Sequence, residues 1–261
     1  MNAIISFFSF FYPVVNFKSK ENITMKYLYQ SACALAILSA TSLPALAESV
    51  DVHITGTITP SACTPTISGG GVIDYGKISP SILSRDSYTV LDTKTAAFSI
   101  SCDAPTKAAV KAVNGRPGTL AGATESGPGN AGMSPIRYTL ADNNEAASVG
   151  LGTAFNGAKI GGYTIGTDPN SFTVDGKTAT YIRSTDNGKS WETGNPVFNI
   201  FYDAGAERLT SWSASGNPVP VAFTTMNATM GVQAYINKTS ELDLTQPVKL
   251  DGLTTLEIVY L

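Results

Sequence analysis

Few residues in this 261-residue chain have types and spacings suited to chemistry. His53 is the only histidine, so no Ser-His-Asp relay can form elsewhere. On the polar parity of an N-terminal strand it would be a poor general base, and a solvated or partner-contacting imidazole is expected. Cys63 and Cys102, with that single histidine, fall short of the four ligands of a structural zinc site. The acid pairs Asp203/Glu207 and Glu241/Asp243 are of the kind glycoside hydrolysis sets across a cleft. A chain with 20 acidic residues always offers such pairs, and solvated faces are their default. Gly69-Gly70-Gly71 is followed by no Gly-Lys-Ser/Thr and opens no helix, so it is a flexible connector and not a phosphate loop. Trp191, Trp212 and Tyr163 could stack on a sugar face, although most aromatics in an all-β chain are core. No catalytic residue, cofactor or metal is expected.

The elements that would position such residues are all strands. Val, Ile, Thr, Tyr and Phe recur in short runs broken by Gly, Asn, Asp and Pro. That pattern predicts strands at 71–76, 88–92, 96–102, 108–113, 136–141, 163–166, 172–174, 178–184, 197–203, 208–212, 219–225, 231–237 and 254–261. Turn signals at this spacing argue for an antiparallel sandwich. Residues 114–135, rich in Gly and Pro and poor in large apolar side chains, read as a long mobile loop. In Ser184-Thr-Asp186-Asn-Gly188-Lys-Ser190-Trp191 the spacing fits a hairpin turn: Asp186 accepting backbone amides, Gly188 at positive φ, Trp191 packing back.

The first 47 residues are set apart. Met25 and Lys26 open an export signal with an apolar run from Ala32 to Ala40 and a small-x-small cleavage site at Ala45-Leu46-Ala47. That run is too short to anchor stably in a membrane. Residues 1–24 are either an upstream misreading before a start at Met25 or an unusually long leader. Cleavage after Ala47 removes Lys18, Lys20, Lys26 and Glu21 from the 17 basic and 20 acidic residues, leaving a net charge of −5. With no basic run, nucleic acid is not an expected partner. Cys33 leaves with the signal. Cys63 and Cys102, the two that remain in an exported chain, most simply form one disulfide.

One stretch has a distinct pattern. From Val50 to Cys63 the sequence reads VDVHITGTITPSAC. Val50, Val52, Ile54 and Ile58 share one parity, Gly56 sits in the same row, and the other parity is polar. The C-terminal end alternates too, through Leu256, Ile258 and Tyr260, with Gly252 upstream and Leu261 last.

These two ends resemble those of chaperone–usher pilins, the subunits of Gram-negative fimbriae and especially their longer beta-fimbrial kind. Val72–Ile78, the Phe98–Cys102 run and the cysteine spacing are similar to that family as well. The resemblance implies an all-β fold: an incomplete immunoglobulin-like antiparallel sandwich, one strand short, completed by a donor strand and carrying long loop insertions. Residues 48–62 would be the donor extension and 63–261 the sandwich. Val50, Val52, Ile54, Gly56 and Ile58 would fill a neighbour's groove, with the glycine at a shallow pocket. Gly252, Leu256, Ile258, Tyr260 and Leu261 would border the groove that a periplasmic chaperone occupies first, gripping the carboxylate of Leu261. The implied partners are neighbouring pilus subunits, that chaperone and an outer-membrane usher. The implied destination is the periplasm and then the cell-surface fimbrium. The alternative is a minor, tip-proximal or solitary periplasmic sandwich that binds a glycan or a surface. The 184–191 motif is similar to the Asp-box of sialidases and related propellers. A propeller would carry several copies and this chain has one, so the enzyme reading is set aside in favour of a structural turn.

Overall fold

The computed structural model describes residues 49–57, 61–168, 170–193, 199–202, 207–214 and 217–261. One unit ends at Gly56 and the other runs Thr57–Leu261. In the first, residues 49–56 form no strand, helix or turn. Val50, Val52 and Ile54 are 88, 81 and 95 % exposed, and a side chain at Gly56 would have nothing within 4 Å. Ile58, the last residue of that row, lies outside the described residues.

The second unit is all-β. Its described residues form two sheets in which every ladder is antiparallel, with three 3-10 turns and no α-helix. The first sheet runs in the order β1 (Cys63–Ile67), β3 (Lys94–Thr106), β13 (Phe223–Ile236), β7 (Gly161–Thr167), β6 (Ala147–Gly150), β5 (Gly132–Met133). Beside β13 lie β2 (Thr89–Val90) and β8 (Thr173–Val174), and β9 (Lys177–Thr178) pairs with β8. The second sheet runs β11 (Glu192–Thr193), β10 (Thr180–Ser184), β12 (Leu209–Ser213), β4 (Ala108–Asn114), β14 (Thr254–Tyr260).

Alternation explains the core. In β3, Ala96, Phe98, Ile100 and Cys102 are buried, while Thr95, Ala97 and Ser101 face solvent. Met226, Ala228 and Met230 of β13 and Val110 of β4 join the same cluster. Trp212 of β12 meets Phe223 edge-on, ring centres 5.5 Å apart, so both sheets contribute to one apolar interior. Cys63 and Cys102 are directly opposed in the β1–β3 ladder and are bonded to each other. The disulfide closes a loop of about 40 residues, a constraint on the unfolded chain worth about 4 kcal/mol.

Two expected elements turn out differently. Residues 114–135 are not an empty loop. Leu120, Ala121 and Ala131 are fully buried, and Leu120 and Ala121 form a second cluster with Tyr138, Ala141, Ala146 and Tyr235. One leucine and close backbone packing supply what large side chains usually would. Residues 136–141, expected as a strand, instead bend into a 3-10 turn over Thr139–Ala141 that ends at Asp142, in the left-handed region. Gln233 holds that turn down: its side-chain oxygen accepts from Leu140 N at 2.9 Å, and its amide donates to Leu91 O at 3.0 Å. This layer covers the second face of β13, so that strand is buried on both sides from Met230 to Ile236. The end of the expected run 219–225 and most of 231–237 join into that one strand, Phe223–Ile236, because its register with β3 continues from Thr225 to Val232. The ladder overrides the weak strand preference of Asn227 and Ala228.

Candidate functional site

The last strand, β14, pairs with β4 along one edge. Along its other edge, within the Thr57–Leu261 unit, lies an apolar groove of about 1260 Å³. Its floor is the inward parity of β7 and β13, with Tyr163, Ile165, Met230 and Val232. One wall is the segment after β1, with Ile73, Tyr75, Ile78 and Leu83; the other precedes and includes β14, with Leu244, Val248, Leu250 and Leu256.

Local chemistry sets both walls. Gly69, Gly70 and Gly71 have φ of 67, 65 and 78°, a left-handed run that turns the chain off the end of β1. Only glycine adopts such a run without strain. Residues 72–79 then run without regular secondary structure. Tyr75 pins them, its hydroxyl donating to Val232 O at 3.0 Å, and burial pushes that hydroxyl's pKa up to about 12. On the other wall, Asp251 N donates to Leu151 O at 3.0 Å. Arg116 grips the Asp251 carboxylate through Nε and Nη2, each at 2.8 Å, and holds that carboxyl below the usual range. Tyr163 shares a 2.6 Å hydrogen bond with Thr254, and burial raises its hydroxyl to about 12.

Past Ile67 and Leu256, the last of the β1 and β14 residues that line the groove, those two strands are joined to each other. Cys63 N donates to the Tyr260 hydroxyl at 2.9 Å, joining the first residue of β1 to the last of β14. Apart from that bond, among the described residues no backbone hydrogen bond crosses from residues 61–83 to residues 244–260. The outer edge of β14 is therefore not paired with residues 61–83 across the apolar floor. Such an edge can take an extended peptide, the backbone bonding the walls and alternate side chains filling the floor. Asp74 is the sole carboxylate on the lining, and it accepts Gly76 N at 2.7 Å. Among the described residues no three His, Cys, Asp or Glu side chains converge on a metal-sized site.

The sequence-derived residues are distributed as follows. Gly252 and Leu256 line the groove. Ile258 packs on the main core beside it. Tyr260 lies beyond the lining and ties β14 to β1 through Cys63 N, and Leu261 follows it, its N–H donating to Lys107 O. Cys63 and Cys102 are bonded as expected. Val50, Val52, Ile54 and Gly56 belong to the other unit and are exposed there. The wall from Leu242 to Leu250 was not foreseen, although its signal was present. Leu242, Leu244, Val248 and Leu250 share one parity, and Pro247 obscured the row.

Several of the remaining candidates have partners in the fold. The 184–191 motif is the β10–β11 hairpin. Asp186 accepts from the Ser184 hydroxyl at 2.6 Å and from Ser190 N at 2.9 Å, and Gly188 has φ of 82°. Those bonds hold the Asp186 carboxyl far below its ordinary range, the Ser184 hydroxyl first among them. Glu207 pairs with Lys111 at 3.3 Å and Glu241 with Lys238 at 3.4 Å. Asp203 lies outside the described residues, and His53 is exposed.

Residues 52–164 match the sequence family described as "Protein of unknown function (DUF1120)". The chain is similar to Protein GltF of Escherichia coli (strain K12), with 30 % identity over 264 residues that cover 93 % of this chain and 99 % of that protein. It is also similar to the uncharacterized protein YhcF of the same organism, 26 % identical over 227 residues, 82 % of this chain and 92 % of that one. No solved structure matches the chain.

Proposed function

The chain belongs to the DUF1120 family, and on that footing we propose that it is a structural subunit of a surface fimbria, assembled by donor-strand exchange. The observation that carries this reading is the apolar groove beside the unpaired edge of β14. A sandwich whose last strand is paired along one edge only, beside an open apolar groove, offers a place for a further strand. The complementary object is a short peptide with apolar residues at every second position, and residues 50–58 have that pattern. Borrowed by a second copy, they complete its groove. The contact is heterologous, does not close, and so builds a filament.

Strand order supports the reading. The order β1-β3-β13-β7 in one sheet and β4-β14 in the other is compatible with an immunoglobulin-like sandwich that lacks its final strand. On this reading the missing strand would lie in the groove. The signal-like pattern read from the sequence at residues 25–47 supports export to the periplasm, where on this reading a chaperone fills the groove until an outer-membrane usher passes the subunit into the fibre. The role is mechanical, with no catalytic step.

The test is assembly of the full chain against a version lacking residues 48–59. The full chain is expected to form fibres visible by electron microscopy when produced with its chaperone and usher. The shortened chain is expected to remain bound to chaperone. Fibres from the shortened chain would overturn the donor role.

A further inference from the structure

The turn at residues 151–160 carries Phe155, which is 90 % exposed. It is not a loose loop. Ala154 N donates to Ala158 O at 2.7 Å, Gly157 N to Ala154 O at 2.9 Å and Ile160 N to Gly152 O at 3.1 Å. The Asn156 side chain accepts from Ala158 N at 3.1 Å. A rigid turn that holds a phenyl ring in water forgoes the burial of that ring, commonly worth about 1.5–3 kcal/mol, unless a partner covers it.

The position of the turn indicates the partner. Its roots, Leu151 and Ile160, line the groove, and Leu151 O accepts from Asp251 N, three residues before β14 begins. The turn therefore stands at the Thr254 end of β14. The opposite end is tied across by the Cys63–Tyr260 bond. A guest strand trailing a whole protein body cannot leave through that tie, so the body leaves at the Thr254 end. The guest then runs antiparallel to β14, which is also the slightly more stable pairing.

We infer that Phe155 docks on the Tyr260–Leu261 end of the next copy of this chain, forming a second, body-to-body contact beside the inserted strand. This rests on the proposed donor role. Cys63 lies only five positions past Ile58, a reach of at most roughly 18 Å. The donor's Cys63 is thus held close to the acceptor's Thr254 end. With it come the donor's Tyr260, bonded to Cys63, and Leu261, which are 53 and 46 % exposed. An exposed aromatic turn on one end of the molecule and an exposed apolar pair on the other are brought face to face by the tether.

The experiment places a benzophenone amino acid at position 155 of the full chain and maps photocrosslinks in the assembled polymer. A synthetic peptide of residues 49–59 is titrated separately onto the monomer. Crosslinks from position 155 to residues 256–261 or 103–107 of another copy support the contact. In that case Phe155→Asp should slow assembly about tenfold while leaving peptide affinity unchanged. Peptide binding and polymer formation with no such crosslink, or with crosslinks to a different protein, overturn the Phe155 contact alone. A monomer that neither binds the peptide nor polymerises overturns the donor role and this contact together.

Discussion

Tyr163 occupies the floor of the groove with its hydroxyl bonded to Thr254 and its pKa pushed up to about 12. Burial favours the neutral phenol, so the folded-state pKa lies above the unfolded value near 10. The stability this contributes is complete below pH 10 and is lost as pH rises toward 12. Tyr163→Phe should cost about 1 kcal/mol at pH 7, for the lost hydrogen bond. That deficit should shrink above pH 10, because the variant has one fewer phenol resisting ionisation. Urea midpoints measured across that range check it, and a deficit that stays constant would refute the assignment. Gly252 is the neighbouring case. A Cβ there would lie 2.8 Å from Tyr163 Cε1 and 3.1 Å from Leu151 Cδ2. The Tyr163 ring has little room to retreat, since Phe201 meets it edge-on and Thr254 holds its hydroxyl. Gly252→Ala should therefore destabilise by about 1–3 kcal/mol through overpacking, read as a lower urea midpoint with an unchanged m-value.

Among the elements, β1 is the one most dependent on its fastenings. Three of its five residues are exposed, and its attachments are the β3 ladder, the Cys63–Cys102 bond and the Tyr260 hydroxyl. Replacing both cysteines by serine should cost about 4 kcal/mol on the chain-entropy account, and thermal melting of oxidised and reduced protein should show the same loss. Tyr260→Phe should cost about 1 kcal/mol, and its effect should be local. Hydrogen exchange at the Cys63 amide should accelerate while amides in the middle of β3 stay protected. Uniform acceleration would mean that the bond does not act as a local clasp. The same elements show how far sequence carries. Strands β3, β4 and β14 were legible because Phe98, Ile100, Val110, Leu256 and Ile258 alternate with polar or small residues. Strand β6 was not, because Ala147-Ser-Val-Gly150 has no two-residue pattern: all four residues are buried. The layer over β13 was misread for a related reason. Its burial rests on Leu120, Tyr138 and a side-chain amide from Gln233, and no local composition announces a contact spanning nearly a hundred residues. The groove was half legible. Gly252 and Leu256 follow from the terminal alternation, whereas the walls depend on where the glycine run at 69–71 aims the chain.

At the scale of the whole molecule, an open groove makes stability a function of what fills it. The apolar floor and the unpaired edge of β14 belong to the folded chain only, so a peptide that fits them binds the native state and not the unfolded one. Linkage then fixes the size of the effect. A ligand at about 100 times its dissociation constant stabilises by about 2.7 kcal/mol, and at about 1,000 times by about 4.1 kcal/mol. The synthetic peptide of residues 49–59 should raise the melting temperature of the monomer in proportion to the logarithm of its concentration. A peptide with Gly56→Trp should not, because the row would carry an indole where the native sequence has no side chain. A peptide with Val52→Asp should fail for a different reason, the burial of an unpaired carboxylate on an apolar floor. The three peptides separate the possibilities. Equal stabilisation by all of them would indicate nonspecific binding, and none by any of them would leave the groove without its proposed occupant. Stabilisation by the native peptide alone would mean that the alternating row, with its one gap, carries the information that joins one copy to the next.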